Sequence, residues 1–554
     1  MRISISGEWR PVWLLLAVCF LGLPVSAQAQ TDNDGFRAVV AELGDANFRE
    51  KESIAERLLA TGHASARAVL TALLEDRVFF RQQDQQPFIV ESTDENLSAY
   101  ALVDPVSLED AGSAEPDQLS RVTTNNRLRA FLRMSIATFA LSSPDADIRV
   151  DAVKQMLRSL DAASIELLRE RAAEETDSRV SYEIDTALAL AALDEEDESS
   201  TRLAAVTTLA DRLNPEVYNR LSALLERDED GSFIEGDEAV RLAAAEAVRR
   251  IDTARNFYAV IETVFFGLSL GSVLALAAIG LTITFGVMGV INLAHGELLM
   301  LGAYTTYVVQ LAMPEHIDIS MLVAIPAAFI VTGSVGVLIE RTIIRFLYGR
   351  PLETLLATFG VSLVLQQFVR SVFSANNRPV VTPTWMSGTL QFNEVFSLTY
   401  NRLYIILFTL IVFAILLLVL KRTRVGLEMR AVSQNRLMAR AMGVRSEWVD
   451  AMTFGLGAGI AGVAGVALSQ LTNVGPNLGQ AYIVDSFLVV VFGGVGNIWG
   501  TFIGGLSLGI VNKVLEPFAG AVLGKIFVLI GVILFIQRRP RGLFPQTGRA
   551  AEGL

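Results

Sequence analysis

The sequence predicts an all-α protein in which an exported helical domain is followed by a polytopic helical membrane domain of about eight to nine spans, some of them broken. Of its 554 residues, 52% are hydrophobic, and the mean hydropathy of +0.43 is too high for one soluble domain. Residues 30–255 hold 25 Lys and Arg against 45 Asp and Glu, whereas residues 256–554 hold 19 against 13. An almost continuous apolar stretch begins after Arg255 and ends at Gln537. The domain boundary is therefore predicted at residue 255.

The first residues predict a signal peptide, residues 1–29. Arg2 and Arg10 precede an apolar run, and Ala27 and Ala29 provide the small-x-small pattern that signal peptidase accepts. We therefore expect cleavage after Ala29 and a periplasmic position for the domain that follows. The alternative is an uncleaved anchor helix.

The reactive side chains exclude several classes of protein. Cys19 is the one cysteine and lies in the N-terminal apolar run, so the mature chain would have no thiol for disulfides, zinc binding or nucleophilic catalysis. Three histidines are too few for a multi-histidine metal site, and we expect neither a metal nor a cofactor. The sequence has no nucleotide-binding loop, no HExxH and no GxSxG. No catalytic residue is predicted, and an ATP-driven pump would need a separate ATPase.

The exported segment, residues 30–255, predicts amphipathic helices, because apolar residues recur at i, i+3 and i+4. Several helices open with a repeated phrase that contains an arginine, at spacings of 30, 23 and 39 residues. This spacing resembles degenerate HEAT-like repeats; an irregular helical domain is the alternative. Strand-like alternation is nearly absent, and residues 79–120 are predicted to be an inserted loop or small subdomain. The repeated arginines are Arg149, Arg179, Arg202 and Arg241.

Nine apolar segments are candidate membrane spans, and the positions of Lys and Arg test their direction. If the first domain is exported, the first span runs inward, and the third, fifth and ninth spans end in the cytoplasm. Basic clusters begin at those three ends, at Arg341, Lys421 and Arg538. We therefore predict a multi-pass protein of the bacterial inner membrane with a cytoplasmic C-terminus. The candidate spans are residues 258–284, 296–312, 319–340, 354–372, 402–420, 449–471, 484–495, 500–514 and 521–537.

Glycines at helical spacing recur in these spans. Gly267 and Gly271 form one pair, and Gly505 and Gly509 form another. Small residues four apart let two helices approach closely, so we predict a packing role rather than contact with a substrate. The seventh and eighth candidate spans are shorter than the ~20 residues of a straight crossing, which predicts half-helices or a broken pair.

Candidate pathway residues lie at two interruptions of the apolar pattern. In the first, Asn292, His295 and Glu297 lie between two apolar runs. Ionisable groups at membrane depth are costly and often mark a pathway; the alternative is a cytoplasmic turn, where they cost nothing. The second interruption repeats the Phe-Gly-x-x-Gly of the first and contains Asn497. Two broken segments in comparable places indicate a translocation site.

The fourth candidate span carries a row of polar residues. Thr358, Ser362 and Gln366 are four residues apart and so share one helical face. They could offer neutral donors and acceptors to a small polar solute. The alternative is that each side chain bonds to a preceding carbonyl or to a neighbouring helix.

The longest loop on the predicted cytoplasmic side, residues 423–451, is strongly basic, and its helix-forming residues end at Gly443. This pattern predicts a helix that lies parallel to the membrane and docks onto a soluble partner. The alternative is a basic face that rests on anionic lipid headgroups.

These segments resemble the transmembrane subunits of bacterial ABC importers for branched-chain amino acids and related solutes. The matching phrases are INLAHGELLMLGAY from Ile291, FGGVGNIWGTFIGG from Phe492 and RRPRGLF from Arg538, together with the basic loop. Within the family, residues 473–500 and 515–526, and the long exported extension, are similar to the urea-type permeases.

The resemblance implies an importer with a second related permease subunit, two cytoplasmic ABC ATPase subunits and a periplasmic solute-binding protein, in a lipid bilayer and without nucleic acid. Urea is the expected solute; branched-chain amino acids or short amides are the alternative. A membrane-anchored sensor or scaffold that uses the exported domain is an alternative of a different class. The resemblance also implies that the basic loop docks on an ATPase, through Gly426, Arg430, Ala431, Asn435, Ala439, Arg440 and Gly443.

Overall fold

The computed structural model describes residues 25–93, 99–158, 160–194, 199–228 and 230–544. The chain divides into two compact units, Met1–Asp252 and Thr253–Leu554. The apolar run of the predicted signal peptide lies outside the described residues, apart from its last residue, so cleavage after Ala29 stays a prediction.

The first unit is mainly helical, and side-chain caps begin several of its helices. Asn47 forms a capping box with Glu50, in which each side chain accepts a hydrogen bond from the backbone of the other. Asn125, Asp145 and Asp177 each accept a backbone N–H at the start of their helix. The helices are α1 Val25–Ala41, α2 Phe48–Ala60, α3 Ala66–Leu74, α4 Asn126–Leu141, α5 Ala146–Leu157, α6 Ala162–Glu174, α7 Ser178–Ala192, α8 Ser199–Leu209 and α9 Pro215–Ala223.

An antiparallel sheet interrupts these helices, and the all-α prediction was wrong here. Its five strands are β1 Val78–Arg81, β2 Gln86–Val90, β3 Tyr100–Val103, β4 Asp110–Ala114 and β5 Leu119–Arg121, and their order in the sheet is β4-β3-β2-β1-β5. The strands β1 and β2 are covered on both faces: Phe80 and Ile89 belong to a core shared with α1–α4, whereas Phe79 and Phe88 belong to a second apolar cluster. These two strands therefore lack the period-two pattern, and the other three have only three to five residues, too few for a clear alternation.

Ion pairs from a helix to the loop that precedes a later helix explain part of the repeated arginine phrase. Arg149 binds Glu175 through two hydrogen bonds, from Nε to Oε2 at 2.9 Å and from Nη2 to Oε1 at 2.8 Å. Arg202 donates from Nη1 to Glu235 at 3.1 Å. Both glutamates lie two residues before the aspartate that accepts backbone N–H groups of the next helix. The HEAT-like assignment itself stays a prediction.

The second unit is built from helices, with one two-stranded hairpin. Among the described residues, six helices are long and apolar enough to cross a membrane. They are α10 Glu238–Met288, which contains the boundary between the units, α12 Ile317–Thr342, α13 Pro351–Phe373, α14 Tyr400–Arg422, α17 Ser446–Ser469 and α19 Ile498–Arg538. The remaining elements are α11 His295–Ala312, β6 Thr389–Asn393, β7 Phe396–Thr399, α15 Arg424–Gln434, α16 Arg436–Ala441 and α18 Leu478–Gly493.

Six such helices are fewer than the predicted eight to nine spans, but they contain seven of the nine candidates, because α19 includes the last two. α18, with 16 residues, is too short to be counted, and α11, with 18 residues, is long enough but not apolar enough. Gly520 interrupts α19 with φ 76° and ψ 164°. A Cβ on Gly524 would lie 3.7 Å from Leu515 Cβ and 3.8 Å from Asn512 Oδ1, so the chain folds back at Gly520.

The glycine pairs pack against each other, as predicted. A Cβ on Gly267 would lie 2.6 Å from Ile510 Cα, and one on Gly271 would lie 2.7 Å from Leu506 Cα. The first half of α19 thus approaches α10 closely through the pair Gly505 and Gly509.

Candidate functional site

The interruption between α10 and α11 is buried inside the helical unit. Asn292, His295 and Glu297 are each 1% exposed. His295 Nε2 lies 2.8 Å from the carbonyl oxygen of Ala277, eleven residues before the end of α10. These side chains are therefore not exposed as they would be in a turn at a membrane surface. Their role in a pathway stays a prediction.

Within the described part of the chain, each of the three side chains has a polar atom without a hydrogen-bond partner. Asn292 Oδ1 accepts the backbone N–H of Ala294 at 3.0 Å, but its Nδ2 has no hydrogen-bond partner. His295 Nδ1 has none either. Glu297 Oε1 accepts from Ser362 Oγ at 3.1 Å, whereas Glu297 Oε2 is unpartnered. Such atoms are rare in folded proteins, because a buried polar group without a partner is costly.

The polar row of α13 lies on one helical face, as its spacing predicts, and the structure places this face against the interruption. Thr358 Oγ1 accepts the backbone N–H of Leu293 at 3.2 Å, and Ser362 reaches Glu297. One turn further, Gln366 Nε2 donates to Asn477 Oδ1 at 3.5 Å. Thr358, Ser362 and Gln366 are all buried.

Two residues that sequence reasoning missed extend this row. Arg370 Nη2 donates to Asn477 Oδ1 at 2.7 Å, so one amide oxygen accepts from both Gln366 and Arg370. Arg370 follows Gln366 by four residues, and the helical spacing that selected Thr358 to Gln366 would have found it. Asn477 precedes α18 and carried no comparable signal. We call Glu297, Ser362, Gln366, Arg370 and Asn477 the polar cluster.

The polar cluster lies where the first turns of α11 and α18 touch. A Cβ on Gly479 would lie 2.5 Å from the carbonyl carbon of Gly296 and 2.7 Å from Glu297 Oε2. Both positions therefore require glycine, and the unpartnered oxygen points at the backbone of α18. The N-terminus of a helix carries a partial positive charge, so two of them beside a carboxyl group create an electrostatically favourable site.

Asn497 lies elsewhere. Its Oδ1 accepts the backbone N–H of Gly500 at 3.0 Å as the N-cap of α19, and its Nδ2 donates to the carbonyl of Phe544 at 3.3 Å. The 16 residues of α18 separate Asn497 from Asn477. The two interruptions do touch, since a Cβ on Gly286 would lie 2.7 Å from Gly496 Cα. A pathway role for Asn497 stays a prediction, and the structure gives it a capping role.

The predicted docking loop forms two short helices, α15 and α16, and the residues singled out from the sequence hold its shape. Gly426 packs against the Leu420 carbonyl, which also accepts from Arg430 Nη1. Asn435 caps α16 by accepting the backbone N–H of Met438 at 2.9 Å. Arg440 Nε donates to Ser446 Oγ at 2.6 Å. Ala439 is buried, Ala431 is half-buried, and Gly443 has φ 87° after the end of α16.

Several apolar side chains of this loop are exposed, and the sequence analysis did not single them out; three of them lie on or just after α16. Leu437 is 79% exposed, Met438 60% and Met442 79%. Apolar side chains on a basic helix could have been recognised as a contact face. The loop thus presents an apolar surface held on a rigid frame.

In the described ranges, no group of three or more His, Cys, Asp or Glu residues could hold a metal ion. A helical unit with broken helices and a buried polar cluster defines a membrane transport protein. The family model for the permease component of branched-chain amino acid transport systems matches residues 263–536. The chain belongs to this family of ABC importer permeases.

Individual relatives match about half of the chain. The high-affinity branched-chain amino acid permease BraD of Pseudomonas aeruginosa is 34% identical over 302 residues, which are 52% of this chain and 96% of that protein. LivH of Escherichia coli is 31% identical over 300 residues, covering 52% and 97%. The ribose import permease RbsC of Escherichia coli is 27% identical over 307 residues, covering 50% and 85%. No solved structure matches the chain.

Family membership has direct consequences. A permease component is not itself an enzyme, and it works with ATPase subunits and a solute-binding protein. The relatives and the apolar helices identify a multi-pass protein of the inner membrane.

Proposed function

We propose that this chain is the permease subunit which, with a second related permease subunit, forms the translocation pathway of an ATP-driven urea importer. The observation that carries the proposal is the polar cluster at the contact of two helix N-termini. Binding sites built from discontinuous helices in the membrane are common in transporters, because broken backbone at that depth must line a cavity or be covered by protein.

Urea is the solute that we favour. It is neutral and offers N–H donors and one carbonyl acceptor, so hydrogen-bond geometry would select it rather than charge. The polar cluster supplies both kinds of partner, a carboxyl acceptor on Glu297 and amide groups on Gln366 and Asn477. The sequence of residues 473–500, which includes Asn477, resembles the urea-type permeases.

A branched-chain amino acid is the second candidate, because the permeases most fully matched are named for these solutes. Glu297 and Arg370 could bind the ammonium and carboxylate groups of a zwitterion. Uptake of labelled solute by a deletion strain separates the two. We expect urea uptake at micromolar supply to be lost on deletion and restored by the gene. Unchanged urea uptake with lost leucine uptake would overturn the urea assignment.

We further propose that residues 423–451 dock on a cytoplasmic ATPase and transmit its closure to the membrane helices. The exposed apolar side chains Leu437, Met438 and Met442 would provide the contact area. This orientation makes the first unit, with residues 30–255, periplasmic and the C-terminus cytoplasmic. An anchored sensor or scaffold would need only one or two spans.

Co-purification tests the docking. We expect Arg440→Glu and Gly443→Asp to reduce recovery of the ATPase with the permease. Arg440→Glu removes the hydrogen bond from Arg440 to Ser446, and Gly443→Asp strains a backbone with φ 87°. Leu437→Ser should do the same without disturbing the frame. The matched control is Arg539→Glu, a charge reversal at an exposed arginine outside the loop. Wild-type protein that recovers no ATPase, or equal recovery with all variants, contradicts the proposal.

A further inference from the structure

The geometry points to a two-ended amide site in the polar cluster. Glu297 Oε2 accepts N–H groups of the solute at one end, and the side-chain amides of Gln366 and Asn477 bind its carbonyl oxygen at the other. The solute class is a small molecule whose N–H donors flank a C=O acceptor, such as urea or a short amide. This inference rests on the proposed transport function and assigns its solute-binding residues.

Glu297 has a carboxyl oxygen that lacks a hydrogen-bond partner in the described part of the chain. Glu297 is 1% exposed, and only one of its two oxygens has a hydrogen-bond partner, Ser362. A buried acceptor without a partner is costly, and more so when the group is charged. A solute N–H group would provide the missing partner when the site opens. No neighbouring side chain of the described protein does so.

The spacing of the polar row on α13 suits a small solute. Ser362 and Gln366 are successive members of one row on α13, so the two ends of the site are separated by a rise of ~6 Å. Glu297 is bonded to the first and Asn477 to the second. Urea, three heavy atoms across, can reach both ends.

Arg370 is a positioning residue, because it acts on the solute site through Asn477. It donates to Asn477 Oδ1 at 2.7 Å, and Gln366 donates to the same oxygen at 3.5 Å. With its oxygen held in this way, Asn477 retains Nδ2 as a donor for the solute carbonyl. Asn477 is exposed whereas Glu297 is buried, so the cluster runs from the surface of the unit into its interior.

The described conformation is closed. Gly479 packs against Gly296 and beside Glu297 Oε2, leaving that oxygen inaccessible. Admission of a solute therefore requires the first turn of α18 to move away from α11. Such a movement exposes Glu297 and Asn477 together, because both lie at this contact.

The test uses the complete importer in proteoliposomes, with both permeases, the ATPases and the binding protein. The measurement is labelled urea moved per ATP hydrolysed. We expect Glu297→Gln and Asn477→Ala to lower this ratio by about tenfold, because each removes a hydrogen bond to the solute. ATP hydrolysis stimulated by the binding protein should stay within twofold of wild type. Arg370→Gln should lower the ratio less, and Arg370→Lys should restore part of it.

A control variant, a replacement variant and a second solute accompany this test. Ser486→Ala, in which a buried hydroxyl that bonds only within α18 is lost, should leave the ratio unchanged. If Glu297→Gln does not assemble, the same transport ratio is measured for Ser362→Ala, which removes the one hydroxyl that is bonded to Glu297. Wild type should also move urea faster than N,N′-dimethylurea, and Glu297→Gln should lose this preference.

Failure of the proposed transport function and failure of the solute site alone give different results. A wild-type importer that moves neither urea nor leucine overturns the proposed function and the site with it. Wild-type urea transport that remains fully coupled in Glu297→Gln and Asn477→Ala overturns the site alone. Transport of leucine, but not urea, that depends on Glu297 overturns the small-amide class.

Discussion

Two buried glutamates, one in each unit, have opposite hydrogen-bond environments. The side chain of Glu175 is 1% exposed, and both of its oxygens accept hydrogen bonds from Arg149. The backbone N–H groups of residues 176 and 177 add two more, at 3.0 Å each. Glu297 is equally buried, yet one of its oxygens has no hydrogen-bond partner among the residues that the structure describes. The fully bonded carboxylate stabilises a fold, whereas the incompletely bonded one is available to a ligand.

The physical reason for the contrast is local. Glu175 follows the end of α6 and lies two residues before the cap of α7, where free backbone N–H groups and two arginines converge. Glu297 lies in the first turn of α11, where Gly479 fills the space that a partner would need. Removing a partner should therefore damage the first unit more than the second.

The largest effect is expected for Arg149→Leu. It leaves Glu175 buried without its main partner, and breaking a buried pair in this way costs about 3–5 kcal/mol. Hydrogen exchange of residues 162–192 in the full chain measures the loss. Arg169→Leu, at an exposed arginine, is the control and should cost no more than ~0.5 kcal/mol. Equal protection in both variants would contradict the assigned role.

Acid should weaken the same pair by less than the deletion does. Hydrogen bonds from Arg149, despite burial, lower the pKa of Glu175 from 4.5 to about 2. Because the folded pKa is depressed, the stabilisation is complete above pH 4.5 and is lost as the pH falls towards 2. Exchange of residues 162–192 should accelerate across this range. In Glu175→Gln the acceleration should be smaller, and an identical pH profile would show that another group is responsible.

In the membrane unit, a glycine substitution at a helix contact should come next in size. A Cβ on Gly302 would lie 2.5 Å from Gly462 Cα, so Gly302→Ala forces α11 and α17 apart at a cost of about 1–3 kcal/mol. Gly360→Ala is the matched control, because nothing lies within 4 Å of the added Cβ. It should be neutral or stabilising by up to ~1 kcal/mol. Unfolding temperatures of the two variants in detergent measure the difference, and equal values would contradict close packing at Gly302.

The contrast between the units also separates what the sequence could predict from what it could not. Periodic features were accessible: the α13 row from Thr358 to Gln366 shares one face, and the glycine pairs of α10 and α19 meet. Asn477 was not accessible, because only the return of the chain before α18 brings it to Gln366. The sheet was missed because two of its strands, β1 and β2, are covered on both faces, and the other three are too short to show a clear alternation.

The smallest effect is expected at Asn497, and it tests whether Asn497 is a helix cap or a pathway residue. If it only caps α19, Asn497→Ala should cost about 1 kcal/mol, as the equivalent change at Asn47 should in the first unit. Asn497→Asp keeps the acceptor for Gly500 but loses the donor to Phe544, so it should retain most of the stability.

Unfolding in detergent and urea moved per ATP hydrolysed are the two readouts for these Asn497 variants. A cap supports the fold without touching the solute, so stability should fall while the transport ratio remains at the wild-type value. A tenfold loss of the ratio in Asn497→Asp at full stability would instead make Asn497 a pathway residue. The second interruption would then join the first as part of the solute route, and incomplete hydrogen bonding would no longer be the feature that distinguishes pathway residues from structural ones.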